Sequence, residues 1–327
     1  MISPDTLRAL PLCSGLTEEA LNALAALTHA AAFAPGDFLL RQGTPSTCAY
    51  AVTAGQVAVL RTLPGGGALP LAEVGPGSVV GEIGLLAPLP RMASARALEA
   101  VAVVVFERAV FAAACRTRQP AARSMLEAVM RRVCAHVRAL GASLAAQAQS
   151  PAGPAWQPAA EASRPGEFDY LRFLPLLRCA PALGEAGLRH FAALAPPRTL
   201  IRGEPLFAAG DPSPGLALVV HGALESVPAG ATGQAMEVHG PGSLVGLPAV
   251  FDGLPLDWQV RARERSLVLH LPQAVFESCF AQHDEFAFGL LSAVAEQLAD
   301  SMTRLANRLA QLTGLQRAQT ILARRLA

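Results

Sequence analysis

A short stretch in the first third of the chain combines residue types that could bind a small anion joined to a sugar. Arg91 carries a planar, permanently charged guanidinium that matches phosphate oxygens in a bidentate manner, and Ser94 can give one more hydrogen bond. An ionised Glu82 only accepts hydrogen bonds, so its natural partner is a ribose hydroxyl. A short helix predicted over 82–86 would point backbone N–H groups at the anion. The alternative is an ordinary turn with a surface salt bridge between Glu82 and Arg91.

This stretch closely resembles the phosphate-binding cassette of the cyclic nucleotide-binding domain family, which includes catabolite activators and protein kinase A regulatory subunits. The family pattern is Gly-Glu, a few apolar residues, a spacer, Pro-Arg, a small pair and then Ser or Thr. The positions that fit it here are Gly81, Glu82, Pro90, Arg91, Ala93 and Ser94. The resemblance implies that Glu82 binds the ribose 2′-hydroxyl, and that Arg91 and nearby backbone amides bind the cyclic phosphate. The implied ligand-binding set is Gly81, Glu82, Ile83, Gly84, Leu85, Arg91, Met92, Ala93 and Ser94.

The residue after the arginine bears on the choice of base. In the family, a threonine at that position favours guanine, whereas this chain has Met92, which has no hydroxyl. We therefore expect cAMP as the ligand, with cGMP possible.

The elements that must position this stretch are short strands separated by Gly and Pro, with helical patterns before and after them. Such a pattern favours an antiparallel sandwich or barrel, and the resemblance implies the eight-stranded roll of the family. The predicted fold class is α+β, with two eight-stranded antiparallel β-rolls of jelly-roll type and flanking helices.

The second roll is predicted from an internal repeat. Glycines recur 167 residues later in the first half of the pattern and 165 residues later in the second half; the pairs are Gly36/Gly203, Gly43/Gly210, Gly55/Gly222, Gly75/Gly240, Gly77/Gly242 and Gly81/Gly246. A repeat this long indicates a duplicated domain. We predict an intact nucleotide-binding domain over 1–140, a Pro/Ala-rich linker over 141–167 and a degenerate second domain over 168–327.

The second copy lacks the anion-binding residues. Glu82, Arg91 and Ser94 are replaced by Leu247, Leu256 and Gln259, and Asp257 stands where Met92 is. A phosphate buried beside a carboxylate without a cation is unfavourable, so we expect no cyclic nucleotide there. The copy is then a structural module, a pocket for a less anionic ligand, or a docking face that uses Phe251, Leu254 and Trp258.

Two long amphipathic patterns follow the two rolls, over about 124–140 and 286–312, and Gly314 is expected to interrupt the second. In the family, the helix after the roll caps the nucleotide base and often pairs two protomers, so a homodimer through either helix is possible. Many bacterial members carry a helix-turn-helix domain after such a helix. Too few residues follow here for one, so we expect no direct binding to nucleic acid.

Composition limits the remaining classes. The chain of 327 residues has a net charge of +1, and all 26 basic residues are arginine, a bias typical of GC-rich coding. No apolar stretch is long enough for a membrane span, no signal peptide is evident, and the six scattered cysteines are typical of reduced thiols. We expect a cytoplasmic protein that does not bind membranes.

These features together predict a cyclic-nucleotide receptor, with the ligand in the first domain and signal transmission or docking of an unidentified effector protein in the second. An alternative is an interaction scaffold in which both rolls are structural. A metal-dependent enzyme on a similar roll would need an H-x-H pair, which the seven histidines do not form. No catalytic residues, metal or cofactor are therefore predicted.

Overall fold

The computed structural model describes residues 2–14, 16–62, 67–117, 119–147, 169–228, 235–282 and 284–326. These residues form two compact units. Unit 1 comprises Met1–Val133 with Ala306–Ala327, and unit 2 comprises Cys134–Leu305.

Unit 1 is an antiparallel roll with eight strands among the described residues. The strands are β1 (Thr28–Phe33), β2 (Phe38–Leu40), β3 (Cys48–Ala54), β4 (Val57–Thr62), β5 (Ala68–Val74), β6 (Val79–Val80), β7 (Ser94–Ala97) and β8 (Val101–Glu107). They form two sheets, β1-β8-β3-β6 and β2-β7-β4-β5. The helices are α1 (Pro4–Arg8), α2 (Glu18–Ala25), α3 (Ile83–Leu86), α4 (Arg108–Arg116) and the first part of α5 (Pro120–Gln147).

Unit 2 repeats this plan. Its strands are β9 (Pro197–Leu200), β10 (Pro205–Phe207), β11 (Gly215–His221), β12 (Leu224–Pro228), β13 (Glu237–His239), β14 (Leu244–Val245), β15 (Trp258–Ala262) and β16 (Ser266–Pro272). The sheets are β14-β11-β16-β9 and β10-β15-β12-β13. The helices are α6 (Ala180–Leu194), α7 (Ala249–Asp252), α8 (Gln273–Ala281) and α9 (Glu285–Leu326), of which α9 belongs to unit 2 as far as Leu305.

Each roll closes around an apolar core supplied mainly by the inward-facing side chains of its two sheets. In unit 1 this core is Leu39, Leu40, Val52, Val57, Val80, Ala95, Ala97, Val101, Val103 and Val105. In unit 2 it is Leu200, Leu206, Phe207, Ala217, Val219, Leu224, Val245, Ala249, Leu256, Val260, Ala262 and Val268. The predicted α+β class with two eight-stranded rolls is confirmed.

The internal repeat extends to individual backbone hydrogen bonds. In unit 1, Gly43 N donates to Arg91 O and Arg91 N donates to Thr44 O, both at 2.9 Å. In unit 2, Gly210 N donates to Leu256 O at 2.7 Å and Leu256 N donates to Asp211 O at 2.9 Å. The backbone at the arginine position is therefore held in the same way in both copies, and the difference lies in the side chain.

The turning glycine Gly55 (φ +83°) shows why these positions are glycine. A Cβ there would lie 2.3 Å from Ala100 O, and at the matching Gly222 (φ +80°) it would lie 2.4 Å from Arg265 O. Only glycine allows the backbone to approach this closely while it adopts a positive φ.

Two predicted helix ends were wrong. Helix α5 continues through Gly141 to Gln147, so the predicted start of the linker at 141 lies inside a helix. Helix α9 likewise runs through Gly314 without interruption. A single helical glycine costs only about 1 kcal/mol relative to alanine, which a long helix tolerates. The rest of the predicted linker, 148–167, lies outside the described residues.

The compact units also divide the chain differently from the predicted domains. Residues from Cys134 onward join unit 2, whereas the predicted first domain extended to residue 140, and Ala306–Ala327 joins unit 1. Among the described residues, no helix has the length and apolar character needed to cross a membrane.

Candidate functional site

The predicted cassette forms one continuous feature of unit 1. Helix α3 begins at Ile83 with Glu82 as its N-cap residue, one residue later than predicted, and a loop then leads to β7, which begins at Ser94. Of the predicted set, Glu82, Gly84, Leu85 and Arg91 are buried, and Gly81, Ile83, Met92, Ala93 and Ser94 are partly buried.

The guanidinium of Arg91 points into the roll, and the side chain is only 7% exposed. Its Nη1 donates to Gly81 O at 3.0 Å, and its Nη2 donates to Cys48 O at 2.5 Å and lies 3.7 Å from Cys48 Sγ. These acceptors are neutral, so a buried positive charge is held by dipoles. Desolvation by burial lowers the pKa of Arg91, while Cys48, Tyr50 and Glu82 raise it by smaller amounts.

Two cassette glycines make room for this guanidinium. A Cβ at Gly81, whose φ is +79°, would lie 2.5 Å from Arg91 Nη1, and a Cβ at Gly84 would lie 2.8 Å from the same atom. The spacing Gly-Glu-x-Gly before the arginine is thus explained by close packing, because any side chain at either glycine would displace the cation.

Glu82 is 6% exposed, which is rare for a carboxylate unless it has partners. Its Oε1 lies 3.7 Å from Nε of Arg132 on α5. Arg132 was part of the amphipathic pattern in the sequence, but a role at the cassette could not be read from that pattern, because helical periodicity does not say what a polar face contacts.

Ser94 accepts a hydrogen bond from Gln42 N at 3.0 Å, and it pairs with Leu60 across β4 and β7. The Gln42 side chain in turn bridges to Thr62, which donates from its backbone N to Gln42 Oε1 at 2.7 Å. The serine hydroxyl is therefore held at the end of the cassette loop.

Unit 1 contains a second buried arginine that was not predicted from the sequence. Arg61 on β4 is 7% exposed, and its Nη2 donates to Oδ1 of Asn307 on α9. Burial lowers the pKa of Arg61.

In unit 2 the equivalent positions carry different chemistry. Leu256 is buried in the apolar core, in the place that corresponds to Arg91. The adjoining wall of the roll is polar: Ser226 Oγ lies 2.7 Å from His239 Nε2, and Glu237 accepts from Arg304 Nη2 at 3.0 Å. These groups line a small cavity of about 30 Å³, which is large enough to hold ordered water.

The suggested docking face of Phe251, Leu254 and Trp258 stays a prediction, and the structure gives the three residues different surroundings. Phe251 packs edge-on against Phe276 (ring centroids 5.5 Å apart) and Phe280 (5.7 Å), so it belongs to an aromatic cluster within unit 2. Trp258 is partly buried, and only Leu254 is exposed.

The chain matches a known protein family and is similar to individual known proteins. The profile of the cyclic nucleotide-binding domain matches residues 31–118 and 197–283, which together make up more than half of the chain. The acetyltransferase Pat of Mycolicibacterium smegmatis is 34% identical over 105 residues, which are 32% of this chain and 31% of that protein. The chain thus matches only about a third of the length of this relative.

Two solved structures are also similar. The N-terminal domain of a transcriptional regulator from Streptomyces coelicolor is 36% identical, with a TM-score of 0.36 over 39% of this chain and 91% of that one. The regulatory domain of Toxoplasma gondii protein kinase A, solved with cAMP, is 19% identical, with a TM-score of 0.32 over 86% of this chain and 91% of that one. The two profile matches, one in each β-roll, show that the chain belongs to the cyclic nucleotide-binding domain family as a tandem member.

Proposed function

We propose that the chain is a cyclic-nucleotide receptor that binds one nucleotide, preferentially cAMP, in the cassette of unit 1. The observation that carries the proposal is the buried guanidinium of Arg91, whose hydrogen bonds go to the neutral carbonyls of Gly81 and Cys48. A cyclic phosphate would supply the negative charge that such a cation lacks.

The energetic argument rests on burial. A buried charge is destabilised relative to water, and desolvation is the main cause of the lowered pKa of Arg91. Charge-assisted hydrogen bonds to phosphate oxygens are about twice as strong as neutral ones. Much of the binding free energy would then come from hydrogen bonds between the phosphate and the Arg91 guanidinium, which the fold has already desolvated and oriented.

Glu82 would take the ribose 2′-hydroxyl. Its Oε1 lies 3.7 Å from Arg132 Nε, a distance longer than a good hydrogen bond, so the pair is held by charge attraction. Ribose binding would weaken the attraction between Glu82 and Arg132 and so reposition α5. Because α5 continues into unit 2, this movement offers a route by which the ligand could affect the second unit.

The preference for cAMP rests on Met92, which provides no hydroxyl beside the arginine. Unit 2 would transmit the signal or bind an effector protein, and the chain would act in the cytoplasm as a regulatory protein rather than as an enzyme. The competing function is a scaffold that binds no nucleotide.

Calorimetric titration of cAMP and of cGMP into the whole chain tests the proposal, with Arg91→Ala as the variant and Arg131→Ala as the control. Arg131 is an exposed arginine of α5, so its loss changes the net charge equally without touching the cassette. We expect one site per chain, tighter cAMP binding, a loss of about 100-fold or more in Arg91→Ala and no change in Arg131→Ala. Absence of binding by both nucleotides would favour the scaffold, and two sites per chain would contradict the assignment to unit 1.

A further inference from the structure

The second cassette contains an arginine that comes from outside its own sequence repeat. The loop 252–257, which corresponds to 87–92 of the first cassette, surrounds the side chain of Arg138 on α5. Arg138 and this loop both belong to unit 2. The side chains of Arg138 and Asp252 are each only 14% exposed.

Every N–H group of this guanidinium has an acceptor. Nε donates to Asp252 Oδ2 at 2.6 Å, and Nη2 donates to Asp252 Oδ1 at 2.8 Å and to Leu254 O at 3.3 Å. Nη1 donates to Pro255 O at 2.9 Å and to Asp257 Oδ2 at 2.6 Å. An arginine side chain has five N–H donors in a fixed plane, so this loop matches its full donor set.

The backbone conformation of the loop positions its acceptors around the Arg138 guanidinium. Gly253 adopts φ +68° at the C-terminus of α7, and Leu254 N then donates to Asp252 Oδ1 at 3.0 Å, which orients the carboxylate. Helix α5 also fits closely beside the loop, since a Cβ at Gly141 would lie 2.1 Å from Trp258 Cζ2. Gly141 follows Arg138 by three residues, about one turn of the helix, so both contacts lie near the same face.

We propose that the second cassette is a guanidinium-binding site and that its ligand is Arg138 of the chain's own helix α5. The two cassettes have opposite charge preferences. In the second cassette, two carboxylates and two carbonyls bind a cation, whereas in the first cassette a cation would bind an anionic ligand. The second cassette selects arginine over lysine, because an ammonium has three donors and no planar fork. The hydrogen bond to Asp252 is the main cause of the raised pKa of Arg138, which keeps the ligand charged.

The site has two consequences for unit 2. It holds α5 against the second roll through a contact that is specific for one side chain. It also keeps anions out, since the position is filled and Asp257 faces any phosphate that would approach. The proposal concerns unit 2 alone and holds whether or not unit 1 binds a nucleotide.

Chemical rescue tests the proposal. Arg138→Ala removes the side chain beyond Cβ, and ethylguanidinium is the fragment that would fill the space. We expect the melting temperature of the whole chain to fall by roughly 5–10 °C in Arg138→Ala and to stay within about 1 °C in Arg131→Ala. Millimolar ethylguanidinium should raise the melting temperature of Arg138→Ala but not that of the wild type, and ethylammonium should raise neither.

The double variant Arg138→Ala/Asp252→Asn separates the site from a general effect of the probe, because it should lose the rescue. Equal responses of Arg138→Ala and the wild type to ethylguanidinium, or equal rescue by ethylammonium, would overturn the proposal. So would an Arg138→Ala protein as stable as Arg131→Ala.

If Arg138→Ala does not fold, a double-mutant cycle of Arg138→Lys and Asp252→Asn replaces the rescue. We expect the two shifts in melting temperature to be strongly non-additive, because each change removes part of the same hydrogen-bonded set. Additive shifts would contradict the site.

Discussion

Arg91 and Arg138 bring the same chemical group to equivalent loops of two rolls, with opposite environments. Arg91 donates to two neutral carbonyls, and burial lowers its pKa. Arg138 donates to two carboxylates and two carbonyls, and its pKa is raised, mainly by Asp252. Among the described contacts, the protein supplies carboxylate acceptors to Arg138 but only neutral acceptors to Arg91, and this difference is the basis for proposing an anionic ligand at Arg91 alone.

The walls of the two rolls differ in the same sense. Val59, Ala72 and Val74 line β4 and β5 of unit 1, and their counterparts in unit 2 are Ser226, Glu237 and His239. The register supports the match, since Val59 pairs with Ala72 and Ser226 pairs with Glu237. Unit 2 has therefore exchanged an apolar wall for an internal polar network, in which the buried Nδ1 of His239 has no hydrogen-bond partner among the described residues.

Replacing each of the two arginines by lysine should distinguish the two loops most strongly. Arg91→Lys keeps the charge but loses the planar fork, so we expect nucleotide affinity to fall by about 10- to 100-fold with little change in stability. Arg138→Lys should lower the stability by about 2–3 kcal/mol and leave the affinity within about 2-fold. Titration calorimetry and thermal unfolding of both variants measure the four values. A loss of affinity in Arg138→Lys as large as in Arg91→Lys would remove the distinction between the two arginines.

Alanine substitutions at the matching glycines Gly246 and Gly81 should affect stability and nucleotide affinity differently in the two cassettes. At Gly246 (φ +104°) a Cβ would lie 2.2 Å from the backbone oxygen of Gly215, whereas at Gly81 it would lie 2.5 Å from the movable guanidinium of Arg91. Backbone cannot shift as easily as a side-chain end, so Gly246→Ala should lower the stability by about 2–3 kcal/mol or more. Gly81→Ala should be less destabilising but should reduce nucleotide affinity by displacing Arg91. Thermal unfolding of both variants, with cAMP titration of Gly81→Ala, tests the pair, and equal stability losses with unchanged affinity would contradict it.

The pH dependence of stability should also differ between the walls. Burial lowers the pKa of His239 below its ordinary value of 6.5, whereas its counterpart Val74 does not titrate. Below pH 6.5 the histidine of the unfolded chain binds a proton, whereas the buried histidine of the folded chain resists protonation. Proton binding therefore stabilises the unfolded state, and the stability of the fold decreases as the pH falls.

We expect His239→Gln to flatten the stability curve below pH 6.5, by up to about 1.4 kcal/mol per pH unit, when unfolding is followed in denaturant from pH 5 to pH 7.5. Val74→Ala serves as the control, because it alters the matching position of unit 1 without adding or removing a titrating group. The same slope in His239→Gln and in the wild type would show that this histidine does not set the acid sensitivity.

The sequence predicted the fold correctly, and it placed the candidate cassette on one continuous segment, because both depend on local signals. Glycines with positive φ, such as Gly55 and Gly222, mark the turns, and the short motif around Arg91 is contiguous. The role of Arg138 could not be predicted, because it lies 114 residues before Asp252 and only folding brings the two together. The helix ends near Gly141 and Gly314 were missed for a related reason, since packing and helix length outweigh the weak preference of one glycine.

The smallest effect argued from the comparison concerns Ser94, whose counterpart is Gln259. Its hydroxyl accepts from Gln42 N at 3.0 Å, so Ser94→Ala should cost about 1 kcal/mol of stability and weaken nucleotide binding by no more than about 10-fold. Ser94→Thr keeps the hydroxyl and serves as the matched control, which should bind within about 2-fold of the wild type. Titration calorimetry of the two variants shows how much Ser94 contributes to nucleotide affinity relative to Arg91. If Ser94→Ala lost as much affinity as Arg91→Ala, the buried guanidinium would not be the dominant phosphate contact, and the serine hydroxyl would matter equally.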